Sequence, residues 1–267
     1  MSTSSQQVHE IVRTAYGSIA RDERRACCAP PTSSAQLGYD AAALAAVPVG
    51  ADLGLGCGNP IALAALRPGE RVVDLGSGGG LDVFLAAAAV GPTGFVTGVD
   101  MTPEMVQRAR RNAANAGITN VAFELGQIEA LPLADSSADV VISNCVINLA
   151  PDKLAVFREA HRVLAPGGRA VVSDIVLRGE LPEAVRRHAG AYVMCVSGAA
   201  QVDDYVRAMT AAGFEAVEIL EEKGTNPTAL AADPLFTEIA SRLGAADVAA
   251  ALRAVRHLVV RGFRARS

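Results

Sequence analysis

Apolar positions in the middle of the chain follow two alternating rhythms. Residues 71–75, RVVDL, form a short apolar run ending in an acid and read as a buried strand. Residues 80–91, GLDVFLAAAAVG, read as a helix, and 94–100, GFVTGVD, as the next strand. The clearest helix spans 102–117, TPEMVQRARRNAANAG: Thr102 stands at the N-cap, Pro103 at the first helical position and Glu104 in the first turn, and Gly117 closes it. VAFELG and ADVVISN (138–144) follow as strands, and DKLAVFREAHRVLAPGG (152–168) as a helix stopped by Pro-Gly-Gly. RAVVSDIVL (169–177) is then another strand. This alternation predicts a doubly wound, mostly parallel α/β sheet with helices on both faces. GFEAVEILEE (213–222) and HLVVRGFRA (257–265) are candidates for later edge strands.

Two segments break the rhythm, and both contain cysteine. Residues 1–60 hold a helix-like start, the CCAPPTSSA loop and the stretch DLGLGCGNP, while 178–212 hold the helical insertion PEAVRRHAGAYVMCVSGAA. The predicted division is an N-terminal arm with a thiol loop (1–60), a cofactor-binding core (61–177), and a substrate-binding insertion with the C-terminal part (178–267). A chain of 267 residues, 51% of them hydrophobic, buries about three quarters of its unfolded surface. The net charge of −4 argues against nucleic acid or an acidic membrane as the main partner. No apolar run reads as a membrane span or a secretory leader, so a cytoplasmic protein is expected. In that compartment the five cysteines are expected to be reduced, reactive or ligating. No CxxC pair occurs, so a conventional zinc site has little support.

VVDLGSGGG (72–80) ends a strand and opens a helix. Gly76, Gly78 and Gly80 allow a tight turn and a close ligand, and the helix start offers free N–H donors. The G-x-G-x-G spacing is tighter than a dinucleotide loop and resembles motif I of class I methyltransferases that use S-adenosylmethionine. Asp100 then takes the place of the acid that accepts hydrogen bonds from both ribose hydroxyls, with Met101 beside it. In GQIEALP (126–132), Ile128 is placed on the adenine ring and Glu129 near its amino group; the competing reading of Glu129 is a solvated loop charge. Asp74 is placed to hold the loop, and Asn144 and Cys145 at the strand end where ligands bind.

Three cysteines remain: Cys57 in GCGNP, Cys145 in SNCVINL and Cys195 in YVMCVSG. A lone buried cysteine is usually apolar filler, but three in ligand-side segments suggest a soft, thiophilic substrate. Over nearly its full length the chain resembles the arsenite S-adenosylmethionine methyltransferases. The carrying segments are GCGNP (56–60), VVDLGSGGGLDVFLAA (72–87), GVDMTPEMVQRARRNA (98–113), NVAFELGQIEALPLAD (120–135), VVISNCVINLAPDK (140–153) and YVMCVSGA (192–199). The resemblance implies a Rossmann-like fold and detoxifying methylation of trivalent arsenic. It implies that Cys145 and Cys195 hold As(III), that Cys57 completes or resolves the set from a mobile arm, and that a disulfide such as Cys57–Cys145 forms in turnover. Thioredoxin or glutathione would restore the thiols. Cys27 and Cys28 match further family thiols, with a reactive surface pair as the other reading. Two alternatives stay open: a methyltransferase for another small organic acceptor, and a thiol metal sensor without turnover.

Overall fold

The computed structural model describes residues 5–21, 33–224, 237 and 240–266. Cys27 and Cys28 lie outside them. The helices are α1 (Ser5–Arg21), α2 (Ser33–Gln36), α3 (Ala41–Ala46), α4 (Pro60–Ala64), α5 (Leu81–Val90), α6 (Pro103–Ala116), α7 (Lys153–Val163), α8 (Glu183–Arg186), α9 (Ala189–Val193), α10 (Val202–Ala211) and α11 (Ala245–Ala254). The strands are β1 (Arg71–Leu75), β2 (Phe95–Asp100), β3 (Val121–Leu125), β4 (Ala138–Asn144), β5 (Leu164–Leu177), β6 (Glu215–Gly224) and β7 (Val255–Phe263). They form one seven-stranded sheet in the order β3-β2-β1-β4-β5-β7-β6. The first five strands pair in parallel, and β7 runs antiparallel to both β5 and β6.

The order reverses at β1, which lies between β2 and β4. Strand ends Leu75, Asp100 and Asn144 therefore surround one crevice, the usual ligand position in an open α/β sheet. Each face carries its own core. One packs Val83, Phe84 and Ala109 of α5 and α6 against Val72, Val96 and Ile142. The other packs Phe157 of α7 and Tyr205 and Met209 of α10 against Val141, Val172 and Leu258. Phe157 and Tyr205 meet edge to face with ring centroids 5.3 Å apart. Burying one such large apolar side chain contributes roughly 1.5–3 kcal/mol.

Three details depart from the sequence pattern. The helix ending in Pro-Gly-Gly stops earlier, at Val163, and β5 starts at Leu164. The strand absorbs Pro166, Gly167 and Gly168 in a register shift between the Ala138↔Leu164 and Val140↔Arg169 pairs. A bulge accommodates proline, which cannot donate to the ladder. Secondly, β7 is not an edge: it pairs with β5 from Arg169↔Phe263 to Leu177↔Val255. The outer edge is β6, irregular in register and carrying Glu215, Glu218, Glu221 and Glu222, as suits an edge that must not pair with other chains. Thirdly, Thr102 caps α6 without a side-chain bond; its N–H donates instead to Asp100 Oδ1 at 2.8 Å.

Candidate active site

The turn from β1 to α5 uses its glycines for two different reasons. Gly76 (φ +70°) lies where an added Cβ would be 2.4 Å from Val146 Cγ2, and Gly80 (φ +96°) where it would be 2.7 Å from the Phe84 ring. Gly78 (φ +51°) meets nothing within 4 Å. Its bare Cα faces the cavity, a cradle that a side chain would fill. The loop is pinned by β2: the N–H groups of Gly76 and Ser77 donate to Val99 O at 2.8 and 3.1 Å. Asp74, expected to hold the loop, is buried beside it and lines the cavity.

The same cavity is lined by Gly76, Gly78, Asp100, Met101, Ile128 and Glu129, and also by Asn144 and Cys145. Gly80 packs behind it at the α5 N-cap. Asp100 is held at both oxygens, Oδ2 by Gly78 N–H at 2.9 Å and Oδ1 by Thr102 N–H. Burial raises its pKa, and these two bonds oppose the rise. Asp74 and Asp82 are also raised, first by burial; the Asp82 charge adds to the rise at Asp74. Three desolvated carboxylates around one cavity favour a ligand that brings positive charge.

Several contributors were not legible beforehand. Tyr39 donates to Asp82 Oδ1 at 2.6 Å. His9 of α1 pairs with Glu129 at 2.8 Å, so the residue expected at the adenine amino group already has a partner. Asn144 joins two parts of the site. Its Nδ2 lies 2.8 Å from Gly58 O and 3.1 Å from Asp82 Oδ2, and its Oδ1 accepts the Cys57 N–H at 3.1 Å.

Behind Asn144 the three cysteines meet. Cys57 and Cys145 are joined in a disulfide across 88 residues of sequence. Cys195, buried and free, donates its thiol to Cys145 O at 2.9 Å. Cys145 and Cys195 both have left-handed backbones, φ +57° and +62°, unusual for residues with a side chain and a conformation that clusters at functional sites. Val12, Leu149, Tyr16, Met101 and Tyr192 pack around the sulfurs. Burial pushes the Cys195 thiol well above its usual range; the Asp174 charge adds to this and Lys153 opposes it. The Cys57 loop is tightly fitted: a Cβ on Gly58 would lie 2.2 Å from His257 Nε2 and 2.3 Å from Ser173 Oγ. This glycine serves close packing, where the sequence suggested freedom to swing.

Residues 66–224, more than half the chain, match a family model described as a methyltransferase domain. The solved arsenic(III) S-adenosylmethionine methyltransferase of Chlamydomonas reinhardtii superposes with TM-score 0.67 at 36% identity, over 89% of this chain and 75% of that one. The chain belongs to the arsenite methyltransferase family. An arsenite methyltransferase of Halobacterium salinarum is 50% identical over 80% of this chain and 59% of its own length. One from Aquipseudomonas alcaligenes is 37% identical over 81% and 64%. The chain thus spans about three fifths of the length of these curated relatives. The donor of such methyltransferases is S-adenosylmethionine, and the cavity has features that suit it: open space over Gly78 and the buried carboxylates of Asp74, Asp82 and Asp100. The hydrogen bonds of Asn144 join this cavity to the Cys57 loop.

Proposed function

We propose that the chain methylates trivalent arsenic, held by thiolates of Cys57, Cys145 and Cys195, with S-adenosylmethionine as donor. The observation that carries this reading is the double position of Cys145, which lines the donor cavity and belongs to the thiol cluster. Arsenite is a neutral trihydroxide at neutral pH. Exchange of its hydroxyls for three thiols releases three waters and leaves a three-coordinate arsenic with a lone pair. Soft sulfur ligands suit that centre.

The donor supplies a methyl group on positively charged sulfur. Asp100 would hold its ribose, the glycine loop its backbone side, and Asp74 and Asp82 its positive end. Cys145, on the cavity lining, and Cys195, packed against it, orient the arsenic. The nucleophile is a lone pair, so no group needs to remove a proton, and positioning supplies most of the catalysis. Methylated arsenic is formally pentavalent. Two thiolates that leave it as a disulfide return two electrons and restore the trivalent state. Cys57 and Cys145 are the pair suited to this, and their existing bridge supports the assignment. A thioredoxin-type dithiol or glutathione would then reopen it by exchange. A reducing cytoplasm serves such a cycle. Among the described residues no helix is long and apolar enough to cross a membrane.

The test is incubation with arsenite, S-adenosylmethionine and thiol, followed by arsenic speciation. Methylated arsenicals are expected. Their absence with a protein that binds the donor would overturn the reading.

A further inference from the structure

Methyl transfer to a soft arsenic centre makes no use of a carboxylate, yet one stands beside the sulfurs. An Asp174 oxygen and the Sγ atoms of Cys57 and Cys145 all lie within 4.8 Å of one another. We propose that the reduced Cys57–Cys145 pair and Asp174 form a binding site for a thiophilic divalent cation of the Zn²⁺ class, which competes with trivalent arsenic for the thiols. The proposal uses Cys57 and Cys145 as paired thiols, as the functional reading does, but does not depend on methyl transfer.

The donor set is the first support. Zinc accepts mixed sulfur and oxygen ligands, with Zn–S about 2.3 Å and Zn–O about 2.0–2.2 Å. Tetrahedral ligands at those lengths stand roughly 3.5–4 Å apart, a spacing the three atoms reach once the disulfide opens and its sulfurs separate.

The setting of Asp174 is the second support. It is 1% exposed. Its Oδ1 accepts from Ile175 N–H at 2.9 Å and Asn148 Nδ2 at 2.8 Å, and its Oδ2 from Tyr205 OH at 3.1 Å. Bonds of this kind orient a ligating carboxylate and leave lone pairs for an ion. Charge is the third. Two thiolates, the Asp174 carboxylate and the nearby Lys153 ammonium sum to −2, which one divalent cation neutralises.

Binding is an exchange of protons for metal. A phosphine first opens the disulfide, taking oxygen from water to become the phosphine oxide and leaving two thiols. The cation then displaces one proton from each thiol to solvent while Asp174 binds as its carboxylate. The sequence hides this site because its ligands come from a loop, the end of β4 and β5, with no CxxC spacing.

The experiment uses the full chain, reduced with phosphine, desalted without oxygen and titrated with Zn²⁺ by calorimetry. One ion per chain is expected, with affinity weakened at least tenfold in Asp174→Asn and further in Cys57→Ser. X-ray absorption of the zinc-loaded parent protein should give two sulfurs and the rest oxygen or nitrogen. It needs no variant, so it decides the matter even if Asp174→Asn fails to fold. Zn²⁺ should also raise the arsenite concentration needed for half-maximal binding. Unchanged affinity in a folded Asp174→Asn, an all-sulfur zinc shell, or no stoichiometric binding would each overturn the site. Methylation by chelator-treated enzyme is measured separately: its presence without zinc binding sinks only this site, and its absence with zinc binding sinks only the assigned function.

Discussion

The donor cavity takes most of its glycines and acids from one stretch, Asp74 to Glu129, whereas the thiols arrive from three segments, with sequence separations of 88 from Cys57 to Cys145 and 50 from Cys145 to Cys195. The donor side uses residues whose backbone suits their type: glycines at positive φ in a turn, an acid at a strand end. The thiol side forces cysteines into left-handed backbones and holds them with Asn144, Ser173 and a close-fitting Gly58. A local site can be built from strand-turn-helix geometry alone. A site assembled from distant segments needs the whole sheet in place first. The two should therefore respond differently to mutation.

The largest effect separates them completely. Cys145→Ser and Cys195→Ser should each lower arsenite methylation by about a hundredfold or more, because a hydroxyl is a poor ligand for a soft centre. Donor affinity, measured by calorimetry, should stay within about threefold, since binding there rests on Gly78 and the acids. Gly78→Leu should show the reverse, with donor binding lost and arsenite still taken up by the thiols. Parallel losses of donor and arsenite affinity in all three variants would mean that the two regions are one cooperative unit.

Cys57→Ser tests whether the thiol side is itself divisible. Without Cys57, Cys145 and Cys195 still hold a methylated trivalent arsenical, which has only two exchangeable positions. Inorganic arsenite has three. The first methylation should fall by about tenfold more than the second. Rates with arsenite and with monomethylarsenous acid, supplied separately, give the ratio. Equal losses would instead make Cys57 a redox partner required in every cycle. Gly58→Ala, whose Cβ collides with His257 and Ser173, should mimic Cys57→Ser by displacing the loop.

Asp100 sharpens the donor side. Asp100→Asn removes the charge from a group that fixes Gly78 and Thr102, and that the sequence pattern leads one to expect on the ribose. Losing one charge-assisted bond costs about 1.5–3 kcal/mol, or roughly tenfold to a hundredfold in donor affinity. A calorimetric titration with unchanged affinity would remove Asp100 from the site. Arsenite uptake should not move.

What was legible in the sequence follows the same division. Gly76, Gly78, Asp100 and Ile128, expected around a donor, line one cavity, and turn geometry and strand ends are the local properties that single them out. Strands 71–75 and 138–144 agree with β1 and β4 to the residue. The interior place of β7 was not legible, because pairing order is decided by contacts across the sheet. Tyr39, Asp82 and His9 escaped notice for a related reason. Each is an ordinary residue in a helix or turn until the fold brings it to Asn144 or Glu129. Asp174 sits inside a plain strand pattern, and only the approach of the Cys57 loop gives it a chemical setting.

The most gradual expected effect, spread over several pH units, concerns the acids that line the donor cavity, and its sign follows from proton binding. Burial pushes Asp82 up from 3.8 to about 6, so between those values the folded protein holds a proton that the unfolded chain has released. Stability then falls as pH rises through this window, because the native state binds more protons than the unfolded one. Below 3.8 both states are protonated, and above about 6 both are ionised, so the slope belongs to that interval. Asp174 on the thiol side, raised to about 7 mainly by burial, adds a slope of the same sign that extends higher. The donor-free protein should lose several degrees of Tm between pH 4.5 and 7.5, about a few kcal/mol of stability. Asp82→Asn should flatten the lower part of that curve and leave the part belonging to Asp174. S-adenosylmethionine should bind more tightly as pH rises through about 6, since its positive charge favours ionised Asp82. Differential scanning at closely spaced pH values, with and without donor, gives both trends. A Tm that climbs from pH 4.5 to 7.5, or a variant curve parallel to the parent, would show that Asp82 is already ionised in the folded cavity.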